Sequence, residues 1–100
     1  MVYRIFTLKT FDEVYEALDG SEQQWIQKIK KQLEQQATGK ILRFLWFREK
    51  KYLNKRLYYL VEEEQKKILF IVFGSKKEQQ NIINQVLLKK DELLSLLRGL

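Results

Sequence analysis

The sequence predicts an α+β fold: a small, mostly antiparallel, twisted sheet in the order β-α-α-β-β-β-α-α, with helices packed on one face. Three observations lead there. Between Ile41 and Gly74 lie three apolar runs, Ile41–Phe47, Leu57–Val61 and Ile68–Phe73. They are rich in Val, Ile, Tyr, Phe and Trp, which suit a pleated, half-buried surface. The polar spacers between them, one carrying Asn54 and the other spanning Glu62–Lys67, suit antiparallel hairpins. Parallel strands would need a crossover of about a dozen residues or more. Helical periods and capping signals flank this meander on both sides.

Taken in order, Val2–Lys9 mixes β-branched and aromatic residues and reads as a first strand. Thr10 to Glu13 has the spacing of a capping box, so a short helix is expected to run to about Leu18. Asp19–Gly20 ends it, and Ser21 to Gln24 repeats the capping pattern at the head of a longer helix reaching about Gln36. Trp25, Ile26, Ile29 and Leu33 form its apolar stripe. Gly39 suits a left-handed helix C-cap. In the meander, Leu42, Phe44 and Trp46 share one face, and Ile41, Arg43, Leu45 and Phe47 the other. Ile68–Phe73 is apolar on both faces, the mark of a strand covered from both sides. Ser75 to Glu78 is a third capping box, opening a helix striped by Ile82, Ile83, Val86 and Leu87. Asp91 can cap a last helix whose Leu93, Leu94, Leu96, Leu97 and Leu100 leave little polar face. That helix is too apolar to stand free, and packs back on the domain or against a partner.

One hundred residues suit a single domain, 1–100, with a real core. The net charge of +6 points to a polyanionic partner such as nucleic acid, an acidic protein or an anionic membrane surface. The chain has no Cys and no His, which excludes disulfides, thiolate metal sites and triads built on histidine. Neither a signal peptide nor a membrane-spanning run is visible, so a soluble cytoplasmic protein is expected. Cations crowd the first half of the meander: Lys40, Arg43, Arg48, Lys50, Lys51, Lys55 and Arg56 face a single carboxylate, Glu49. By itself the run Arg48–Arg56 reads as a solvated hairpin loop. Tyr58, Tyr59, Trp25 and Trp46 read most simply as core.

The stretch Asn54–Gln79, NKRLYYLVEEEQKKILFIVFGSKKEQ, resembles the core of the RelE/ParE toxin superfamily, on the RelE-like side. There an Arg-Leu-x-Tyr strand pairs with an apolar strand that ends in Gly and a basic turn leading into a helix. The matching residues are Arg56–Leu57–Tyr58–Tyr59, Ile68–Phe73 and Gly74–Ser75–Lys76–Lys77. The resemblance implies the toxin of a type II toxin–antitoxin system, a ribosome-dependent mRNA endoribonuclease that uses no metal or cofactor. It implies a cognate antitoxin, the ribosome and mRNA as partners, and no membrane. Carried over residue by residue, the catalytic set is Arg48, Lys50 or Lys51, Arg56, and Lys76 or Lys77. Lys40, Arg43 and Lys55 would bind nucleic acid beside it. The C-terminal catalytic tyrosine of the family has no match, because Ile82 and Ile83 occupy its place. Two alternatives stay open: a ParE-like inhibitor of DNA gyrase, and a catalytically inactive relative that binds RNA or an antitoxin.

Chemistry without histidine is compatible with that implication. When RNA is cut by its own 2′-OH, the nucleophile is already on the substrate. The protein has to align it, take its proton, neutralise the phosphorane and protonate the leaving 5′-oxygen. Arginine forks suit phosphate, and a lysine amid like charges gives up its proton more readily. The expected roles are therefore Lys50 or Lys51 as base and Arg56 and Arg48 as phosphate clamp. Lys76 or Lys77 would stand at the leaving group, and as cations in the first turn of a helix they oppose its dipole.

Overall fold

A computed structural model describes residues 2–100. The chain folds as β1 (Arg4–Thr7), α1 (Lys9–Glu16), α2 (Gly20–Gln35), β2 (Lys40–Leu42), β3 (Phe44–Tyr52), β4 (Lys55–Glu62) and β5 (Lys67–Ser75). A 3-10 turn, Lys76–Glu78, then leads into α3 (Gln79–Leu88) and α4 (Lys90–Gly99). The sheet order is β1-β5-β4-β3-β2. Every neighbouring pair is antiparallel except β1 with β5, whose parallel pairing needs the two-helix crossover that separates them in sequence. The expected α+β class and mostly antiparallel sheet are what the chain forms, with five strands in place of the four expected.

Helices cover both faces of the sheet, not one. On one face Phe11, Ile26, Ile29 and Leu33 from α1 and α2 pack on Leu57, Tyr59, Val61, Ile68, Phe70 and Phe73. On the other, Val86 of α3 and Leu97 of α4 pack on Phe47, Tyr58, Leu60 and Leu69. The reason lies in β4 and β5, which are apolar at odd and even positions alike and so demand two covers. The leucine-rich α4 thus packs back on the domain. Buried Lys67 caps its C-terminal end by donating to the Arg98 carbonyl at 3.0 Å and to the Leu100 carbonyl.

Several local expectations shift. The α2 capping box is Asp19 with Glu22, two residues earlier than Ser21 with Gln24. Asp19 Oδ1 accepts from Glu22 N at 2.8 Å, and the Ser21 hydroxyl is spent on Asp19 at 2.7 Å. Thr10 and Glu13 lie inside α1, which starts directly from Leu8, so no capping box forms there. Asp91 likewise sits within the first turn of α4. Glu78 does close the third box, accepting from Ser75 N at 3.4 Å and from its Oγ at 2.9 Å. The run Ile41–Phe47 is not one strand. Arg43, at φ 57°, turns the chain so that Leu42 lies opposite Phe44. The polar stretch Arg48–Tyr52, expected as loop, is strand, and only Leu53 and Asn54 remain to make the turn.

Gly39 caps no helix, since α2 ends at an extended Gln36. It sits at φ 123°, where a Cβ would collide with the Tyr59 hydroxyl and come within 3.1 Å of the Glu49 carbonyl oxygen. That hydroxyl donates to the Thr38 carbonyl and fixes the α2–β2 connection to the sheet. Gly39→Ala combines a disfavoured φ with a clash against the Tyr59 hydroxyl, so thermal or urea unfolding is expected to show a loss of about 2–4 kcal/mol. An unchanged midpoint would contradict this placement of Tyr59.

Candidate active site

The hairpin register sorts the basic residues. Across β3 and β4, Arg48 lies opposite Tyr59, Glu49 opposite Tyr58, Lys50 opposite Leu57 and Lys51 opposite Arg56. Arg56 lies opposite Gly74 and Lys55 opposite Ser75 on β5. Alternate residues face opposite sides, so the cations expected in one cluster are divided by the sheet itself.

Arg48, Lys50 and Lys55 turn toward the α2 side. Arg48 donates to the Leu45 carbonyl at 2.9 Å and to the Ala37 carbonyl, and lies 3.8 Å from Glu63. Lys50 donates to Thr38 Oγ1 at 2.8 Å. Lys55 pairs with Glu22 and lies 5.4 Å over the Phe73 ring. These three side chains are engaged in tying α2 and its following loop to the sheet.

Lys51 and Arg56 face the α3 side, and Lys76 and Lys77 follow from β5 at the same end, where Lys76 N donates to the Asn54 carbonyl at 2.8 Å. Lys51, Lys76 and Lys77 are exposed and make no salt bridge among the described residues. Arg56 is different: it is only 7% exposed, its Nε lies 3.7 Å from Glu49, and its Nη1 donates to the carbonyls of Lys55 (3.0 Å) and Leu53 (3.3 Å). Glu49, 4% exposed, also accepts from Gln79 Nε2 at 3.0 and 3.3 Å. Removing one partner of such a pair leaves a buried charge uncompensated, at a cost of about 3–5 kcal/mol. Arg56→Ala is thus a stability variant before it is a catalytic one.

Lys40 and Arg43 lie on and just beyond β2, at the far edge of the sheet, both exposed. Ile82 packs against Gly74, where a Cβ would meet its Cδ1 at 3.0 Å. Among the described residues no three carboxylates gather where a metal ion could sit.

Sequence reasoning missed Glu49, Gln79 and Tyr58 as a buried polar cluster. A two-residue turn at Leu53–Asn54 would have exposed it, because that register puts Glu49 and Lys51 on the face of Arg56. The Tyr58 hydroxyl is buried with no hydrogen-bond partner among the described residues, although Gln79 and Glu49 lie beside it. Burial, then the Glu49 charge, push its pKa up to about 12. Burial also raises Tyr59. A raised phenol favours the protonated folded state, so stability is complete below the ordinary tyrosine value of about 10 and falls as pH rises beyond it. Tyr58→Phe is expected to be neutral or stabilising at pH 7 and to lose less stability between about pH 10 and 12 in denaturant titrations. A cost of about 1 kcal/mol or more at pH 7 would mean that the hydroxyl is hydrogen-bonded.

No family model matches the sequence, and no curated protein sequence matches it. Solved structures do. A variant of the E. coli toxin RelE in the free state superposes with a TM-score of 0.69 at 15% identity, covering 80% of this chain and 90% of that one. The archaeal RelE–RelB complex from Pyrococcus horikoshii gives 0.66 at 15% identity, covering 75% and 96%. The toxin–antitoxin complex RelBE2 from Mycobacterium tuberculosis gives 0.64 at 15% identity, covering 75% and 99%. The chain therefore has the RelE-like toxin fold, the architecture its Arg-Leu-x-Tyr and Gly-Ser-Lys-Lys segments resemble.

Proposed function

We propose that this protein is the toxin of a type II toxin–antitoxin pair, acting in the cytoplasm as a metal-independent, ribosome-dependent mRNA endoribonuclease. The observation that supports it most is the convergence of exposed Lys51, Lys76 and Lys77 on one end of a RelE-like sheet, beside the locked Arg56. RelE structures with their antitoxins among its structural likenesses, and the chain's net charge of +6, support an acidic antitoxin as partner.

In this reading the substrate's 2′-OH attacks the adjacent phosphorus. The 2′-O–P bond forms, the P–O5′ bond breaks, and a 2′,3′-cyclic phosphate remains. Lys51 takes the 2′ proton; Lys50 is held on the opposite face by Thr38. Lys76 or Lys77 protonates the departing 5′-oxygen. Arg56 lends positive charge from beneath and fixes the hairpin, while Arg48 serves the α2 side. Ile82 and Ile83, where a tyrosine would stand, favour a second reading: a relative that binds RNA or antitoxin without cutting.

The test is cleavage of a defined mRNA on programmed ribosomes, comparing wild type with Lys51→Ala and with Lys76→Ala/Lys77→Ala. Cleavage in the A site, lowered about a hundredfold or more in these variants, is expected for lost proton transfer. Intact mRNA with wild type would overturn the nuclease reading and direct the assay to gyrase supercoiling.

A further inference from the structure

Exposed apolar side chains that the candidate active site leaves unused gather in sequence at the turn between β2 and β3. Ile41, Phe44 and Leu45 are 46%, 41% and 70% exposed. Phe44 is the outer ring of a stacked row. It lies 5.2 Å from Trp46 at an interplanar angle of 7°, and Trp46 lies 5.9 Å from buried Phe47 at 16°. Such a row ends in a half-exposed ring anchored in the core through Trp46 and Phe47. Cations surround it. Lys90 Nζ lies 5.9 Å over the Phe44 ring, and Lys40 and Arg43 project from the same edge. None of the three enters a salt bridge among the described residues.

Arg43 holds φ 57°, beside a register shift between Ile41 and Leu42. A left-handed arginine is disfavoured relative to glycine at that position, and bulges of this kind re-aim side chains. The same irregularity argues against a peptide adding a strand here: β2 has three residues, too few and too bent to template one. Flat rings flanked by unpaired cations match instead the π-faces and phosphates of an unpaired nucleic-acid strand.

We infer that the β2–β3 turn is a stacking platform for single-stranded RNA, in which the outer ring Phe44, backed by Trp46, receives a base as Lys90 swings from over the ring to join Arg43 and Lys40 on the flanking phosphates. It is separate from the Lys51–Arg56 end and does not depend on cleavage there. The test uses the full chain and a labelled 2′-O-methyl oligouridine of about twelve nucleotides, which has no free 2′-OH to attack with. Binding is followed by fluorescence anisotropy across a salt series.

Phe44→Ala is expected to weaken binding about tenfold. Arg43→Gly, which suits the backbone better, is expected to lower the log–log salt slope by about one. Leu88→Ala, an exposed change elsewhere, is expected to leave binding as it is. Unaltered affinity in both patch variants, or equally tight binding of a duplex, would overturn the platform while leaving the result of the ribosome cleavage assay untouched. So would a wild-type dimer that Phe44→Ala converts to monomer, since the patch would then be a protein interface.

Discussion

The structure depends on burying β4 from both sides. Arg56 to Val61 are six consecutive buried residues, and two helical layers are needed to cover them. A strand so placed can keep a charge only if it brings a partner, because an isolated ion in a medium of low polarity is far less stable than in water. Glu49 supplies that partner from the neighbouring strand, and Gln79 of α3 completes the carboxylate's hydrogen bonds. The Arg56–Glu49–Gln79 chain thereby pins β3, β4 and the start of α3 together at the end of the sheet where Lys51, Lys76 and Lys77 emerge.

This arrangement separates two tasks that look alike in sequence. Cations turned toward α2 are bound to carbonyls, a hydroxyl and carboxylates and serve cohesion. The lysines at the α3 end, Lys51, Lys76 and Lys77, enter no salt bridge among the described residues, leaving their amines to act on a ligand. The rigid part is beneath and the mobile charge above, a sound basis for positioning phosphate chemistry, because side chains on fixed strands keep their spacing while their tips adjust. Burial of Arg56 also limits what it can do: its fork is already occupied, so in the proposed reading it acts on a phosphate through field and position alone.

Much of the architecture was legible from the chain. The three apolar runs, the capping pattern at Ser75 and the period of α2 led to every element but one in the right order, β2 and β3 having read as a single strand. Arg56, Gly74 and the lysines after it led to the right fold. What was not legible depended on register. Arg48–Tyr52 is polar enough to read as a loop, yet its alternation is that of a strand whose two faces are both polar, one meeting α2 and one meeting Arg56. Period alone cannot distinguish these until the two-residue turn at Leu53–Asn54 is fixed. The second helical cover was written in β5, apolar at every position from Ile68 to Phe73, but a one-faced sheet is the commoner solution for antiparallel strands. The aromatic row at Phe44 was hidden because Ile41–Phe47 reads as one strand, and the turn at Arg43 carries no glycine to announce it.

The partition of cations is the central claim, and amine reactivity measures it directly. Brief acylation of the native chain, read by peptide mass spectrometry, is predicted to modify Lys51, Lys76 and Lys77 rapidly, Lys50 and Lys55 slowly, and Lys67 scarcely at all before unfolding. Uniform labelling of Lys50, Lys51 and Lys55, or fast labelling of Lys67, would contradict the account, because the sheet would then not be dividing the basic residues into a cohesive set and a free one.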